Sequence, residues 1–134
     1  DTAAPINVHW GNDNRSCGFR VPVSEAKDRR VENRLAGADA NPYLAIAASL
    51  ICGYIGMVER MVPPKIMEGN AYNRARTLPR TLEASLDRFY QCKPVKTLLG
   101  ETFFEIFWAM KDAELYAYQS VISSWEREHL LLKV

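Results

Sequence analysis

The sequence predicts an α+β chain, mostly α-helical, in which short antiparallel strands at the N-terminus lead into a helical region. Three observations carry that expectation. Residues 1–38 hold short alternating stretches separated by turn clusters. From Asn41 onward the chain carries helix caps and apolar residues at helical spacing. The 134 residues, 48% hydrophobic and 25% charged, suit one domain or one piece of a larger one and are enough to bury a core.

The elements follow in order. Ile6, Val8 and Trp10 alternate with Asn7 and His9, which is the period of a strand. Gly11-Asn12-Asp13-Asn14 is a turn cluster. Second and third strands are expected over residues 17–23 and 29–35, with a polar loop at 24–28. Asn41 can cap a helix whose first position is Pro42, where a missing N–H costs nothing. That helix should stop before Pro63-Pro64, and residues 63–78 read as an irregular connection. Thr81 can cap the next helix, with Leu82, Leu86 and Phe89 on one face. A short helix over 94–99 closes at Gly100. A strongly apolar helix from 101 to about 118 follows, carrying Phe103, Phe104, Phe107 and Met110. Ser123 and Glu126 have capping-box spacing for a last short helix through Trp125. No repeat or linker interrupts the chain, so the composition shift near residue 40 marks a change of structure within one domain.

Charge narrows the function. Seventeen Lys+Arg against sixteen Asp+Glu leave a net charge of +1, which argues against a dedicated nucleic-acid binder. The basic run Arg74, Arg76 and Arg80 reads as a solvated loop. The three cysteines, Cys17, Cys52 and Cys92, are odd in number and widely spaced, without a CxxC. That disfavours a zinc site and a disulfide framework and points to a reducing, cytoplasmic setting. Cys52 lies in an apolar run and is expected in the core. The run 40–58 lacks charge but contains Asn41, Pro42, Ser49, Gly53 and Gly56, so a buried helix is expected there and no membrane span.

The chemistry concentrates in Arg29-Arg30-Val31-Glu32-Asn33-Arg34. On a strand, Arg30, Glu32 and Arg34 point one way and Val31, Asn33 and Leu35 the other. If the strand carrying Arg20 is its neighbour, three guanidiniums and one carboxylate line one patch, which Arg15 and Lys27 could join. Arginine suits bidentate recognition of phosphate or carboxylate, and a carboxylate among arginines can ligate a hard cation such as Mg²⁺. The same pattern also reads as a solvated strand face of alternating charge, with ion pairs worth about 0–1 kcal/mol each. His9 and His129 show no partner that would suggest catalysis. Trp10, Trp108 and Trp125 are expected as packing anchors.

A larger ordered set of motifs surrounds that patch. It comprises Asn14-Arg15-Ser16, Arg20-Val21-Pro22, Arg30-Val31-Glu32-Asn33-Arg34 and Asp39-Ala40-Asn41-Pro42-Tyr43-Leu44-Ala45. It continues through Leu78-Pro79, Leu99-Gly100, Lys111 with Glu114, and Trp125-Glu126-Arg127-Glu128. Together these resemble the C-terminal part of the catalytic domain of the glutamine synthetase family. Ala-Ala-Pro-Ile-Asn-Val-His-Trp-Gly (3–11) and the ending Ser-Ser-Trp-Glu-Arg-Glu-His-Leu-Leu-Leu (123–132) are most similar to the gamma-glutamylputrescine synthetases within it.

The resemblance implies a reaction. ATP phosphorylates the side-chain carboxylate of glutamate, and an amine attacks the acyl phosphate and displaces phosphate. It implies Mg or Mn as the metal, with Glu32 as a metal ligand. Arg34 is similar to the arginine that holds glutamate and stabilises the acyl phosphate, and Arg15 to one serving both ATP and glutamate. Arg20, Lys27 and Arg30 resemble nucleotide-side residues. Ammonium-using members carry a glutamate at the position matched by Ala3; alanine there removes a charge that favours NH₄⁺ and implies a larger amine, putrescine or another polyamine. True glutamine synthetase and a non-catalytic relative of the same fold are the rival readings. Tyr72 lies near a tyrosine that some bacterial members adenylylate, but its flanks do not match, so no modification is expected. The resemblance also implies stacked-ring homo-oligomers for a full-length protein, with Leu130-Leu131-Leu132 as a subunit contact or an internal helix face. This stretch alone is expected to be inactive, because the family's N-terminal domain and its other metal-bearing strands are not in it.

Overall fold

A computed structural model describes residues 4–133 of the chain. Three short strands come first: β1 (Trp10–Asn12), β2 (Phe19–Val21) and β3 (Glu32–Asn33). Five helices follow: α1 (Pro42–Val58), α2 (Leu82–Gln91), α3 (Lys93–Leu99), α4 (Glu101–Gln119) and α5 (Ser124–His129). The α+β, helix-rich expectation holds. The chain divides into two units, Asp1–Leu78 and Pro79–Val134.

In the first unit the sheet order is β1-β2-β3. β2 and β3 run antiparallel, as expected, with Arg20 opposite Glu32. β1 and β2 are parallel, which departs from the antiparallel expectation. Length explains it. A three-residue strand is only about 10 Å long, and the six residues at 13–18 can reach about 20 Å when extended. The loop can therefore return the chain to the start of the sheet without a helical crossover. Asp13 N–H donates to Val21 O (2.8 Å) and Phe19 N–H to His9 O (3.1 Å), closing the two ends of that pairing.

β1 also begins later than the alternation suggested. Ile6 spends its carbonyl outside the sheet, accepting from Thr77 and Leu78 N–H. The irregular segment 63–78 is held to the sheet region largely by side chains. Trp10 Nε1 donates to Pro64 O (2.8 Å), Asn14 Nδ2 to Gly69 O (2.7 Å), and Asn7 Nδ2 to Ala71 O (2.9 Å). Ala71 N–H donates to Ser16 Oγ (2.8 Å). Asn7, Cys17 and Ala71 are fully buried. The buried Asn7 has its Nδ2 donor satisfied by Ala71 O.

α1 starts as the cap predicted, with Asn41 Oδ1 accepting from Tyr43 and Leu44 N–H. It stops at Val58, short of the proline pair. Arg60 takes a left-handed φ of 51°, and Met61 N–H reaches back to Gly56 O (2.9 Å). This is a helix-ending turn usually made by glycine. Cys52 is exposed, contrary to expectation, because no residue of α1 is buried. Among the described residues, no helix is long and apolar enough to cross a membrane.

In the second unit Leu86 of α2 and Phe104 of α4 are buried. Phe89 stacks on Phe104 at 4.3 Å, and Tyr90 lies 5.1 Å from Trp108. Lys96 places its ammonium 5.5 Å from the Phe104 ring centre and pairs with Glu105 (2.5 Å) and Glu101 (3.3 Å). Gly100, at φ 82°, separates α3 from α4 in a conformation costly to other residues. Trp125 is exposed and stacks on His129, so it does not anchor packing within this unit.

α5 carries the predicted capping box: Glu126 N–H donates to Ser123 Oγ (3.1 Å), and Ser123 N–H to Glu126 Oε2 (2.7 Å). Those bonds hold the Glu126 carboxyl below its usual range. Ser123→Ala should cost about 1 kcal/mol of local helix stability, read as faster hydrogen exchange in 124–129 with the α4 amides unchanged.

Candidate functional site

The site is built on the β2–β3 pair. Cross-strand pairing sets Arg20 directly against Glu32. Arg20 Nη1 donates to both Glu32 oxygens, each at 2.8 Å, and its Nη2 meets Asp13 Oδ1. Arg30 Nη2 stands 4.0 Å from Glu32 Oε1. Arg34 follows β3, its N–H donating to Gly18 O (2.9 Å), and lies close enough for its charge to act on Glu32 and on Cys17. Arg20 pairs with Glu32 as the alternation predicts, Arg30 stands at ion-pair range, and the charge of Arg34 acts on the same carboxylate. The opposite face of β3 turns to α1, where Asn33 Nδ2 donates to Ser49 Oγ (2.8 Å).

The other predicted residues stand apart from that cluster. Lys27 sits on a 3-10 turn (Ala26–Asp28), largely exposed, with its ammonium 3.7 Å from Glu25. Arg15 is exposed on the β1–β2 loop and lines an open concavity with Asp13, Asn14, Met67, Glu68 and Gly69. Ala3 lies outside the described residues. Asp13 is the member that sequence reasoning missed. Its signal was present: an aspartate in a turn cluster tolerates the left-handed region, and Asp13 adopts φ 49°.

The electrostatics follow from this geometry. The hydrogen bonds from Arg20 hold the Glu32 carboxyl below the usual carboxylate range, and the charges of Arg30 and Arg34 act in the same direction. Glu32 and Asp13 in turn push the Arg20 guanidinium up. Burial pushes the Cys17 thiol up, so it stays protonated and unreactive at neutral pH. Because the fold holds Glu32 ionised at lower pH than the unfolded chain does, its pairing stabilises the fold above the ordinary carboxylate range. That contribution is lost as pH falls through the depressed value. Comparing acid unfolding of wild type and Glu32→Gln checks this: the two stabilities should converge as the pH drops below the carboxylate range.

The donor set fits anions directly. Arg30 stands beside Glu32 with an exposed guanidinium and the charge of Arg34 acts on the same group, the chemistry of phosphate and carboxylate recognition. For a divalent cation the fit is partial. The Glu32 oxygens retain lone pairs beyond the two used by Arg20, and the side chain is about one-third exposed. Among the described residues, no group of three or more His, Cys, Asp or Glu could hold a metal. Glu32 suits one place in a coordination sphere completed by phosphate oxygens, water or other protein ligands.

Known proteins share this sequence and architecture. The family described as "Glutamine synthetase, catalytic domain" matches residues 1–130. The chain is 38% identical to the glutamate–isopropylamine ligase of a Pseudomonas species, over 90% of this chain and 27% of that protein. It is 36% identical to the gamma-glutamylethanolamide synthetase GlnA4 of Streptomyces coelicolor, over 92% of this chain and 27% of that protein. It is similar at lower identity to the gamma-glutamylputrescine synthetase PuuA of Escherichia coli (34%, over 95% of this chain and 27% of that protein). It is also similar to the glutamine synthetase of Methanocaldococcus jannaschii (30%, over 96% and 30%). A solved structure named "GmaS/ADP complex-Conformation 1" superimposes with a TM-score of 0.84 at 28% identity, covering 96% of this chain and 30% of that one. The chain thus spans less than a third of the length of these relatives.

Proposed function

The chain belongs to the glutamine synthetase family, and from that premise we propose that its whole protein is an ATP-dependent ligase joining the side-chain carboxylate of glutamate to an amine. We assign this stretch to the C-terminal part of the catalytic domain, with residues 1–38 bearing site residues and 39–134 forming the helical region. The observation that carries the reading is the Arg20–Glu32 cross-strand pair with Arg30 and Arg34 around it. Clustered cations beside a carboxylate that can ligate a metal suit a phosphoryl-transfer site, where charge on the transferring group must be neutralised.

In this reading the arginines hold charge that moves. Arg34 and Arg15 hold carboxylate and acyl-phosphate oxygens of the glutamate side; Arg20 and Arg30, with Lys27 at the margin, serve the nucleotide phosphates. Glu32 contributes one oxygen ligand to Mg or Mn, which when bound supplies charge neutralisation on the phosphates. The ADP complex among the structural neighbours supports a nucleotide as co-substrate. The remaining ligands come from outside this stretch, so the isolated 134 residues should release no phosphate.

The amine is read as larger than ammonium, a polyamine such as putrescine. Ala3, where ammonium-using members carry a glutamate, supports it, as do relatives named for isopropylamine, ethanolamide and putrescine. The exposed leucines at 130–132 support a subunit contact in a ring-forming oligomer, and the cysteine usage supports a cytoplasmic setting. The test is ATP-dependent phosphate release by the intact protein with Mg²⁺ and glutamate, supplying putrescine, ethanolamine, isopropylamine or ammonium in turn. Release with putrescine and little with ammonium is expected. Release with ammonium alone makes the protein a glutamine synthetase, which relatives of that name would favour. Release with no amine moves weight to a non-catalytic relative.

A further inference from the structure

The geometry points to Asp13 as a positioning residue that fixes the plane of the Arg20 guanidinium for nucleotide phosphate. The inference rests on the ligase reading above and deepens it. Glu32 places both of its oxygens on one nitrogen of Arg20, Nη1, each at 2.8 Å. Two acceptors on a single nitrogen make a pivot, and the guanidinium can still swing about it. Asp13 Oδ1 takes the other terminal nitrogen, Nη2. With both ends of the fork held, the plane is set and the side chain loses the rotamer freedom that makes arginine costly to order.

Asp13 is itself placed by the backbone. It follows β1 at φ 49°, and its N–H donates to Val21 O (2.8 Å), the residue after Arg20. The carboxylate is therefore tied to the strand that carries its partner. Arg20 is only 16% exposed, while Asp13 is 56% exposed. The aspartate closes the cluster on its solvent side, and Glu32 closes it from β3. Arg15 is two residues along the same loop, so a turn that orients Asp13 also leads into a second predicted nucleotide residue.

The test uses the intact protein with Asp13→Asn, Arg20→Gln and the double variant. Asparagine tolerates the same backbone conformation and removes only the charge. Asp13→Gly, which fits that conformation and removes the acceptor altogether, serves as the second variant. Asp13→Gly, which loses the charge-assisted hydrogen bond, should raise the KM for ATP about fivefold, and Asp13→Asn, which keeps a neutral acceptor, by less. KM for glutamate should stay within about twofold, and neither variant should weaken ATP use further once Arg20 is glutamine. An unchanged KM for ATP in both Asp13 variants, with Arg20→Gln raising it, overturns the positioning role and leaves the ligase reading standing. Effects that add in the double variant also overturn it, because Asp13 would then act by some route other than Arg20. A wild type that uses no ATP overturns the ligase reading and this inference together.

Discussion

Glu32→Gln should abolish nearly all activity of the intact protein, lowering kcat/KM by about 10²–10³-fold while the fold survives. The size of the effect follows from how many roles converge on one side chain. Its two oxygens are the acceptors for Arg20 Nη1, its charge faces Arg30 and Arg34, and its remaining lone pairs are the ones offered to a cation. Glutamine keeps the length and one acceptor oxygen, so Arg20 is not left wholly without a partner. It removes the negative charge that balances three guanidiniums and weakens any metal contact. The activity loss should come with a raised requirement for Mg²⁺, measured by titrating the metal at saturating ATP and glutamate. Activity within about threefold of wild type at every Mg²⁺ concentration would sink the assignment of Glu32. Glu32→Ala is the harsher variant, since it leaves Nη1 of a largely buried arginine without its acceptors and only Asp13 on Nη2, and its melting temperature should fall further than that of the glutamine variant.

The parts of this protein legible in its sequence are those that local rules decide. Asn41, Thr81 and Ser123 announce their helices because a side-chain oxygen two or three residues from an N–H needs nothing from elsewhere in the chain. The Arg20–Glu32 pairing was legible because strand alternation is equally local, once the two strands are taken as neighbours. What the sequence did not disclose depends on partners far along the chain. The parallel β1–β2 pairing depends on how a six-residue loop returns, which no alternation records. Residues 63–78 lack periodic spacing, yet they are fixed by Trp10, Asn14 and Asn7 from more than fifty residues away. Cys52 looked buried because its neighbours are apolar, but burial depends on what packs against a helix and not on its composition. Asp13 showed its turn signal but not its role, because its partner lies on β2 and turn aspartates usually serve only the turn.

Gly18→Ala should destabilise the protein by about 1–3 kcal/mol and disarm the site at the same time. Nothing about the site's chemistry names this residue, since it has no side chain to contribute. Its position does. A β-carbon there would stand 2.6 Å from Asn7 O and 2.8 Å from Leu35 Cδ2, with Val8 Cα at 3.4 Å. The leucine methyl can rotate aside, but the carbonyl cannot move freely. Asn7 is fully buried, and its side chain is bonded to Ala71 O, so shifting its backbone disturbs the anchor of the 63–78 segment. The strain must then pass to the other side of Gly18, where its own carbonyl accepts from Arg34 N–H at 2.9 Å. That bond sets the distance between the end of β3 and the start of β2, and therefore the register that places Glu32 against Arg20. The expected outcome is a lowered melting temperature together with faster hydrogen exchange at the Arg34 amide. An activity loss larger than the fraction unfolded can explain should accompany them. A variant that melts like wild type and keeps its Arg34 amide protected would mean that the Asn7 backbone yields without cost. The close approach at Gly18 would then not be what holds the two site strands in register.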